Sequence, residues 1–157
     1  MRSTVLFLTL LSAAACDPAA GIRIGTRLAP SPDPLCIDSA VTQSTLLVRV
    51  DTLERPDQRS SRSVFLYNVY FEPQEQPSVA GVYLDPTTAD STEVGVFFRW
   101  LGRLGKYSDS TRDAAASRGI ALLREVQDAC VPPPNTPITC EQFQSLRKTT
   151  PCNIGPG

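Results

Sequence analysis

The chain has 157 residues, which suits one domain of about 100–150 residues with additional terminal segments. Hydrophobic residues make up 41%, charged residues 20% and the net charge is −1, so we expect neither wholesale disorder nor the basic surface typical of nucleic-acid binding. The absence of histidine excludes the usual general base near neutral pH, Ser–His and Cys–His nucleophile pairs and imidazole metal ligands.

Residues 1–15 have the three parts of an export signal. Arg2 gives a positive start, an apolar stretch runs from Val5 to Leu11, and small residues follow it as far as Ala15. The apolar stretch is shorter than the roughly 20 residues that a membrane-spanning helix needs. The pattern therefore predicts a cleaved signal peptide over residues 1–15.

Cys16 comes directly after the small residues, and here the N-terminus resembles a bacterial lipoprotein signal, in which a peptidase cuts before a cysteine that carries lipid. Ala14 and Ala15 match that pattern, whereas Ala13 departs from it because leucine is usual at that position. The resemblance covers residues 1–16 alone. It implies a location in the bacterial cell envelope, attached to a membrane through Cys16 and facing the periplasm or the exterior, with the leaflet left open. The alternative is ordinary secretion with cleavage after Ala15.

The number of cysteines supports lipidation. The chain has five, and lipid on Cys16 leaves an even number that can pair fully in an oxidising compartment. The remaining four are Cys36, Cys130, Cys140 and Cys152. Of the three pairings we favour Cys36–Cys130, which joins the start of the domain to a helix end, with Cys140–Cys152, which staples the tail. The four include no CxxC pair, so we expect no metal.

We expect a linker over residues 16–35, an α+β domain over residues 36–131 and a Pro-rich, disulfide-containing C-terminal tail over residues 132–157. Alternating apolar positions, or apolar runs rich in β-branched and aromatic residues, predict about four strands, at residues 45–53, 64–71, 80–84 and 93–101. The short connections favour an antiparallel meander, with a polar loop over residues 54–62.

One long helix is predicted after the last strand, packed on one face of the sheet. Ser108 or Ser110 can cap its start, and the prolines from Pro132 onwards end it. Apolar residues recur at helical spacing at Ala116, Ile120, Leu123, Val126 and Cys130. In the tail we expect one helical turn around residues 141–147.

Four aromatic side chains in the predicted strands are candidates for a surface that binds glycan or peptide: Tyr67, Tyr70, Tyr83 and Trp100. The alternative is that they fill the core or brace the sheet, as strand aromatics usually do. Residues 96–101 are the best candidate for an exposed apolar patch, because a single helix covers only one face of a strand.

The sequence predicts no catalytic residue and no cofactor, since it contains no GxSxG elbow, P-loop or Rossmann fingerprint. These features favour a lipid-anchored, non-enzymatic binding or assembly module, whose partners are the membrane and an envelope protein or glycan. Two alternatives stay open. One is a histidine-free envelope enzyme that acts on wall or surface polymers through carboxylates, and the other is a structural surface protein without a specific ligand.

Overall fold

The computed structural model describes residues 20–53, 64–71, 79–88, 90–100, 107–144 and 149–152. In chain order these residues form β1 (Ala20–Leu28), α1 (Pro34–Thr42), β2 (Leu47–Thr52), β3 (Val64–Phe71), β4 (Val79–Thr88), β5 (Ser91–Trp100), α2 (Asp109–Cys130), β6 (Ile138–Gln144) and β7 (Thr149–Pro151). The strands make a single antiparallel sheet in the order β2-β3-β4-β5-β1-β6-β7.

The predicted α+β class and the antiparallel meander are confirmed. Strands β2 to β5 are neighbours in chain order, and β3 has the bounds that the sequence predicts. The predicted number of strands is wrong, because the described part of the chain contains seven. β1 lies within residues 16–35, where a linker was expected, and β6 and β7 lie in the tail. β1 pairs with β5 on one side and with β6 on the other, and β6 pairs with β7, so β1, β6 and β7 extend the sheet beyond the meander.

The expectation of a single helix is also corrected, because α1 precedes the meander. The Oδ1 atom of Asp33 accepts a hydrogen bond from the Leu35 N–H at 2.9 Å and caps the helix. Pro34 suits the first turn, where no N–H is needed for the helical ladder. Ile37 and Val41 then bury the inner side of α1 in the core.

The predicted long helix is confirmed as α2, with Ser108 as its cap. Its centre rests on the sheet at Gly119, where an added Cβ would meet the side chains of Ile24 and Phe98. Buried residues of α1 and α2 join those of the sheet in one core, so both helices cover the same face. Val94, Val96, Phe98 and Trp100 all point into that core, as the alternation in β5 predicts.

The predicted cysteine pairing is confirmed by two disulfides. Cys36 and Cys130 lie with their Cα atoms 5.7 Å apart and join α1 to the last residue of α2. Cys140 and Cys152 lie 5.4 Å apart and join β6 to the residue after β7. The tail is therefore a stapled hairpin on the sheet, with β6 over most of the segment where a helical turn was expected.

Candidate functional site

The second face of the sheet is contacted by neither α1 nor α2, and we call it the helix-free face. Along β1 the exposed Arg23 and Arg27 point to it, between core residues on the other side of the strand. Strand pairing sets Arg23 opposite Phe97 of β5 and Glu141 of β6. This face therefore mixes charged and aromatic side chains at the centre of the sheet.

Arg23, Tyr83 and Glu93 form a closed hydrogen-bonded cluster on the helix-free face. The Arg23 Nε donates to the Tyr83 hydroxyl oxygen at 2.7 Å, and its Nη2 donates to Glu93 Oε1 at 2.7 Å. The Tyr83 hydroxyl donates to the same Glu93 oxygen at 2.9 Å. Burial raises the pKa of Tyr83, and the bond to Glu93 adds to this while the bond from Arg23 opposes it. The phenol is therefore held neutral as a donor.

Glycines make room for aromatic rings on this face. The ring of Tyr83 fills the space above Gly95, and the ring of Phe143 fills the space above Gly21, so a Cβ at either glycine would collide with the ring. Phe143 stacks on Phe97 with ring centroids 5.0 Å apart and an interplanar angle of 14°. Both phenylalanines are only partly buried, so they offer an apolar surface beside the charged cluster.

A second charged cluster lies on the same face at the β2 edge. Arg49 donates from Nε and Nη2 to the two Asp51 carboxylate oxygens at 2.8 and 2.7 Å. The Tyr70 hydroxyl donates to Asp51 at 2.9 Å, and the Arg49 guanidinium lies 4.8 Å from the centre of the Tyr70 ring. The hydrogen bonds from Arg49, helped by the bond from Tyr70, hold the pKa of Asp51 below its ordinary value. This cluster presents fixed charges rather than a proton donor or acceptor.

The structure does not bring the four predicted aromatic residues together. Tyr67 is 0% exposed and Trp100 3% exposed on the helix-covered face, as the core-filling alternative expects. The Tyr67 hydroxyl donates to Asp38 Oδ1 of α1 at 2.6 Å. Tyr70 and Tyr83 lie on the helix-free face, each within its own charged cluster. A platform of all four side chains is therefore not formed.

Sequence reasoning missed Arg23 and Phe143 because they lie in the presumed linker and tail. The alternation of Arg23 and Arg27 with buried neighbours was the signal that could have revealed β1. Of the two stacked phenylalanines, only Phe97 lies within residues 96–101, where the sequence analysis predicts an exposed apolar patch.

A groove with a volume of about 390 Å³ lies between α1 and α2. Its polar wall includes Ser39, Gln43 and Ser44 of the α1 end and Glu125 of α2. Glu125 is the one carboxylate of this lining, and its Oε2 accepts a hydrogen bond from the Ser44 hydroxyl at 2.5 Å. No group of three or more potential metal ligands occurs among the residues that the structure describes.

Cys16 and the loop of residues 54–62 lie outside the described residues. Within the described part of the chain, neither helix combines the length and the apolar character needed to cross a bilayer. No protein-family model, curated protein or solved structure matches this chain.

Proposed function

We propose that this protein is a lipid-anchored module of the bacterial cell envelope, tethered through Cys16, that binds an envelope protein or glycan through its helix-free face without catalysing a reaction. The anchor is supported by the signal at residues 1–16, which resembles that of a lipoprotein. An oxidising compartment is supported by the Cys36–Cys130 and Cys140–Cys152 disulfides.

The Phe97–Phe143 stack beside the Arg23 cluster is the observation that carries the proposal. Partly exposed rings give apolar contact area at low conformational cost, and neighbouring charged groups fix the orientation of a polar ligand. The Arg23 side chain is 46% exposed and that of Glu93 26% exposed, so both are accessible to a ligand that extends beyond the rings. A sugar ring or an extended peptide has the required combination of apolar faces and hydrogen-bonding edges.

The charged groups on this face support binding rather than catalysis. Arg23 and Glu93 hold each other in an ion pair, and Arg49 does the same for Asp51. Tyr83, with its raised pKa, stays protonated at neutral pH and is a poor general base. The enzymatic alternative needs two carboxylates that face one cleft, and Glu125 is the only carboxylate among the described residues that line the groove between the helices.

Crosslinking and co-purification from membranes of the native host test the proposal. We expect the wild-type protein to retain a partner that the Phe97→Ala/Phe143→Ala variant loses. The matched control is Leu35→Ala, which removes an apolar side chain that is 64% exposed on α1, away from the helix-free face. Thermal melts of each variant establish that the fold is kept.

Protease treatment and sugar analysis of the retained material distinguish a protein partner from a glycan. The Cys16→Ser variant shows whether retention depends on the anchor. Equal retention by the double-phenylalanine variant and the wild type would refute the helix-free face as the binding surface.

A further inference from the structure

The outer edge of β2 carries unpaired backbone groups, because no described strand lies beyond it. The Leu53 N–H donates to the Leu66 carbonyl at 2.7 Å, so the backbone N–H and C=O groups of Leu53 point towards β3. Backbone groups alternate in direction along a strand, so Val50 and Thr52 direct their N–H and C=O groups away from β3. An edge of this kind is a template for another strand.

Apolar side chains flank this edge. Val48 is 56% exposed at one end of β2, and Leu53 is 55% exposed just after the other end. Exposed apolar groups beside free backbone donors and acceptors favour contact with a second strand, because pairing would remove both from water.

We propose that a second copy of this chain pairs with β2, antiparallel and about a two-fold axis at Val50, so that the two sheets become continuous. In this arrangement the two copies of Val50 exchange both backbone hydrogen bonds. Arg49 of each copy then faces Asp51 of the other in a non-hydrogen-bonded pair, the type with the closest side chains. Opposite charges at such directly facing positions stabilise strand pairing.

The charge pattern selects this register. Sliding the second copy by two residues in one direction sets Arg49 opposite Arg49, and sliding it in the other sets Asp51 opposite Asp51. Like charges directly opposite each other destabilise a strand pair. The favoured register is self-complementary, so it closes at two copies and leaves no edge for a third at β2.

Dimerisation at β2 goes beyond the proposed binding function and does not require the lipid anchor. A two-fold axis perpendicular to the joined sheets directs both helix-free faces to the same side. The dimer would therefore present two copies of the Phe97–Phe143 surface on one side of the joined sheet, separated by β2, β3 and β4 of each copy. Two such surfaces raise the avidity for a repetitive polymer or a dimeric partner.

Substitutions that reverse the charges of Arg49 and Asp51 test the proposal. The full chain is purified in detergent, and its dimer dissociation constant is measured by sedimentation equilibrium. We expect a dimeric wild type, and an increase of about tenfold or more in the dissociation constant for Arg49→Asp and for Asp51→Arg. The double exchange Arg49→Asp/Asp51→Arg restores facing opposite charges and should restore the dimer. Arg27→Asp, on the same face but away from the edge, is the matched control and should leave the dimer intact.

A monomeric wild type would overturn the proposal. So would single exchanges that dimerise as tightly as the wild type, or a double exchange no tighter than the single ones. Thermal unfolding of each variant separates a loss of pairing from a loss of fold. A variant that has lost only strand pairing has a lower sedimentation mass but unfolds at the same temperature as wild-type protein diluted to the monomer.

Discussion

The side-chain amide of Gln127 donates a hydrogen bond to the hydroxyl oxygen of Thr26 at 2.7 Å and so joins α2 to β1 across 101 positions of the chain. The same nitrogen lies 2.7 Å from the Thr136 carbonyl oxygen, and the two threonine hydroxyls lie 2.8 Å apart. Gln127 is 1% exposed. This buried polar cluster holds α2, β1 and the segment before β6 together, because its members form hydrogen bonds with one another where water is excluded.

Replacing Gln127 with alanine should therefore destabilise the fold. The change leaves the Thr136 carbonyl without its amide donor and opens a cavity, and we expect a loss of about 1–3 kcal/mol in the free energy of unfolding. Urea unfolding followed by circular dichroism measures it. Arg124→Ala, at an exposed position of the same helix, is the control and should stay within about 0.5 kcal/mol of the wild type. Equal losses in the two variants would contradict the role of the cluster.

A valine at Gly119 should also destabilise the protein. Its Cβ would collide with the side chains of Ile24 and Phe98, and overpacking of a core costs about 1–3 kcal/mol. The same change at Ser117, exposed two positions earlier in α2, introduces the same β-branched side chain without the collision. The difference between the two unfolding free energies isolates the close packing of α2 on the sheet. Equal unfolding free energies of the two variants would mean that α2 does not pack closely on the sheet at Gly119.

The two disulfides should contribute unequally to stability. Cys36 and Cys130 are separated by 94 positions, and Cys140 and Cys152 by 12. In the chain-entropy model these loops correspond to about 4–5 and about 3 kcal/mol. We expect the Cys36→Ser/Cys130→Ser variant to lose more unfolding free energy than Cys140→Ser/Cys152→Ser, measured by urea titration under non-reducing conditions. The reverse order would contradict the prediction.

The bond from Tyr67 to Asp38 should make stability fall at alkaline pH. Burial raises the pKa of Tyr67 above its ordinary value of 10.0, and the hydrogen bond to Asp38 adds to the shift. The folded state therefore keeps the hydroxyl proton when the unfolded state releases it. The stabilisation is present in full below about pH 10 and is lost as the pH rises further.

Comparing the wild type with Tyr67→Phe isolates this effect from other groups that titrate at high pH. We expect the wild type to be more stable at pH 7 by about 1.5–3 kcal/mol, the range for a hydrogen bond to a charged group. The gap between their urea midpoints should narrow as the pH rises above about 10. A difference between the two urea midpoints that does not change with pH would contradict the predicted effect of the Tyr67 pKa on stability.

The sequence predicts the meander well because its strands carry clear local patterns. β3 is apolar on both sides and rich in β-branched and aromatic residues, and β5 places large apolar residues at every second position from Val94 to Trp100. The alternation in β1 is weaker, because only Arg23 and Arg27 mark its outer face and Gly21 and Gly25 occupy the other outward positions. The structure gives the reason at Gly21, since the Phe143 ring fills the space above it.

The missed helix and the missed site residues have a different cause. Asp33 and Pro34 lie within the predicted linker over residues 16–35, although proline is favoured in the first turn of a helix and Asp33 supplies the cap. Tyr67 and Tyr83 are both buried, but on opposite faces of the sheet. Tyr67 lies under the helices, whereas the Tyr83 ring packs over Gly95 on the helix-free face, and strand periodicity alone cannot distinguish these faces.

Lipid attachment at Cys16 distinguishes a tethered envelope module from a freely secreted protein. The most direct test is the mass of the N-terminal peptide of the mature protein, isolated from membrane and soluble fractions of the bacterial host. We expect membrane-bound protein that begins at an acylated Cys16, and a Cys16→Ser variant that carries no lipid. Mature protein that begins at an unmodified Cys16 in the soluble fraction would refute lipidation and favour ordinary secretion.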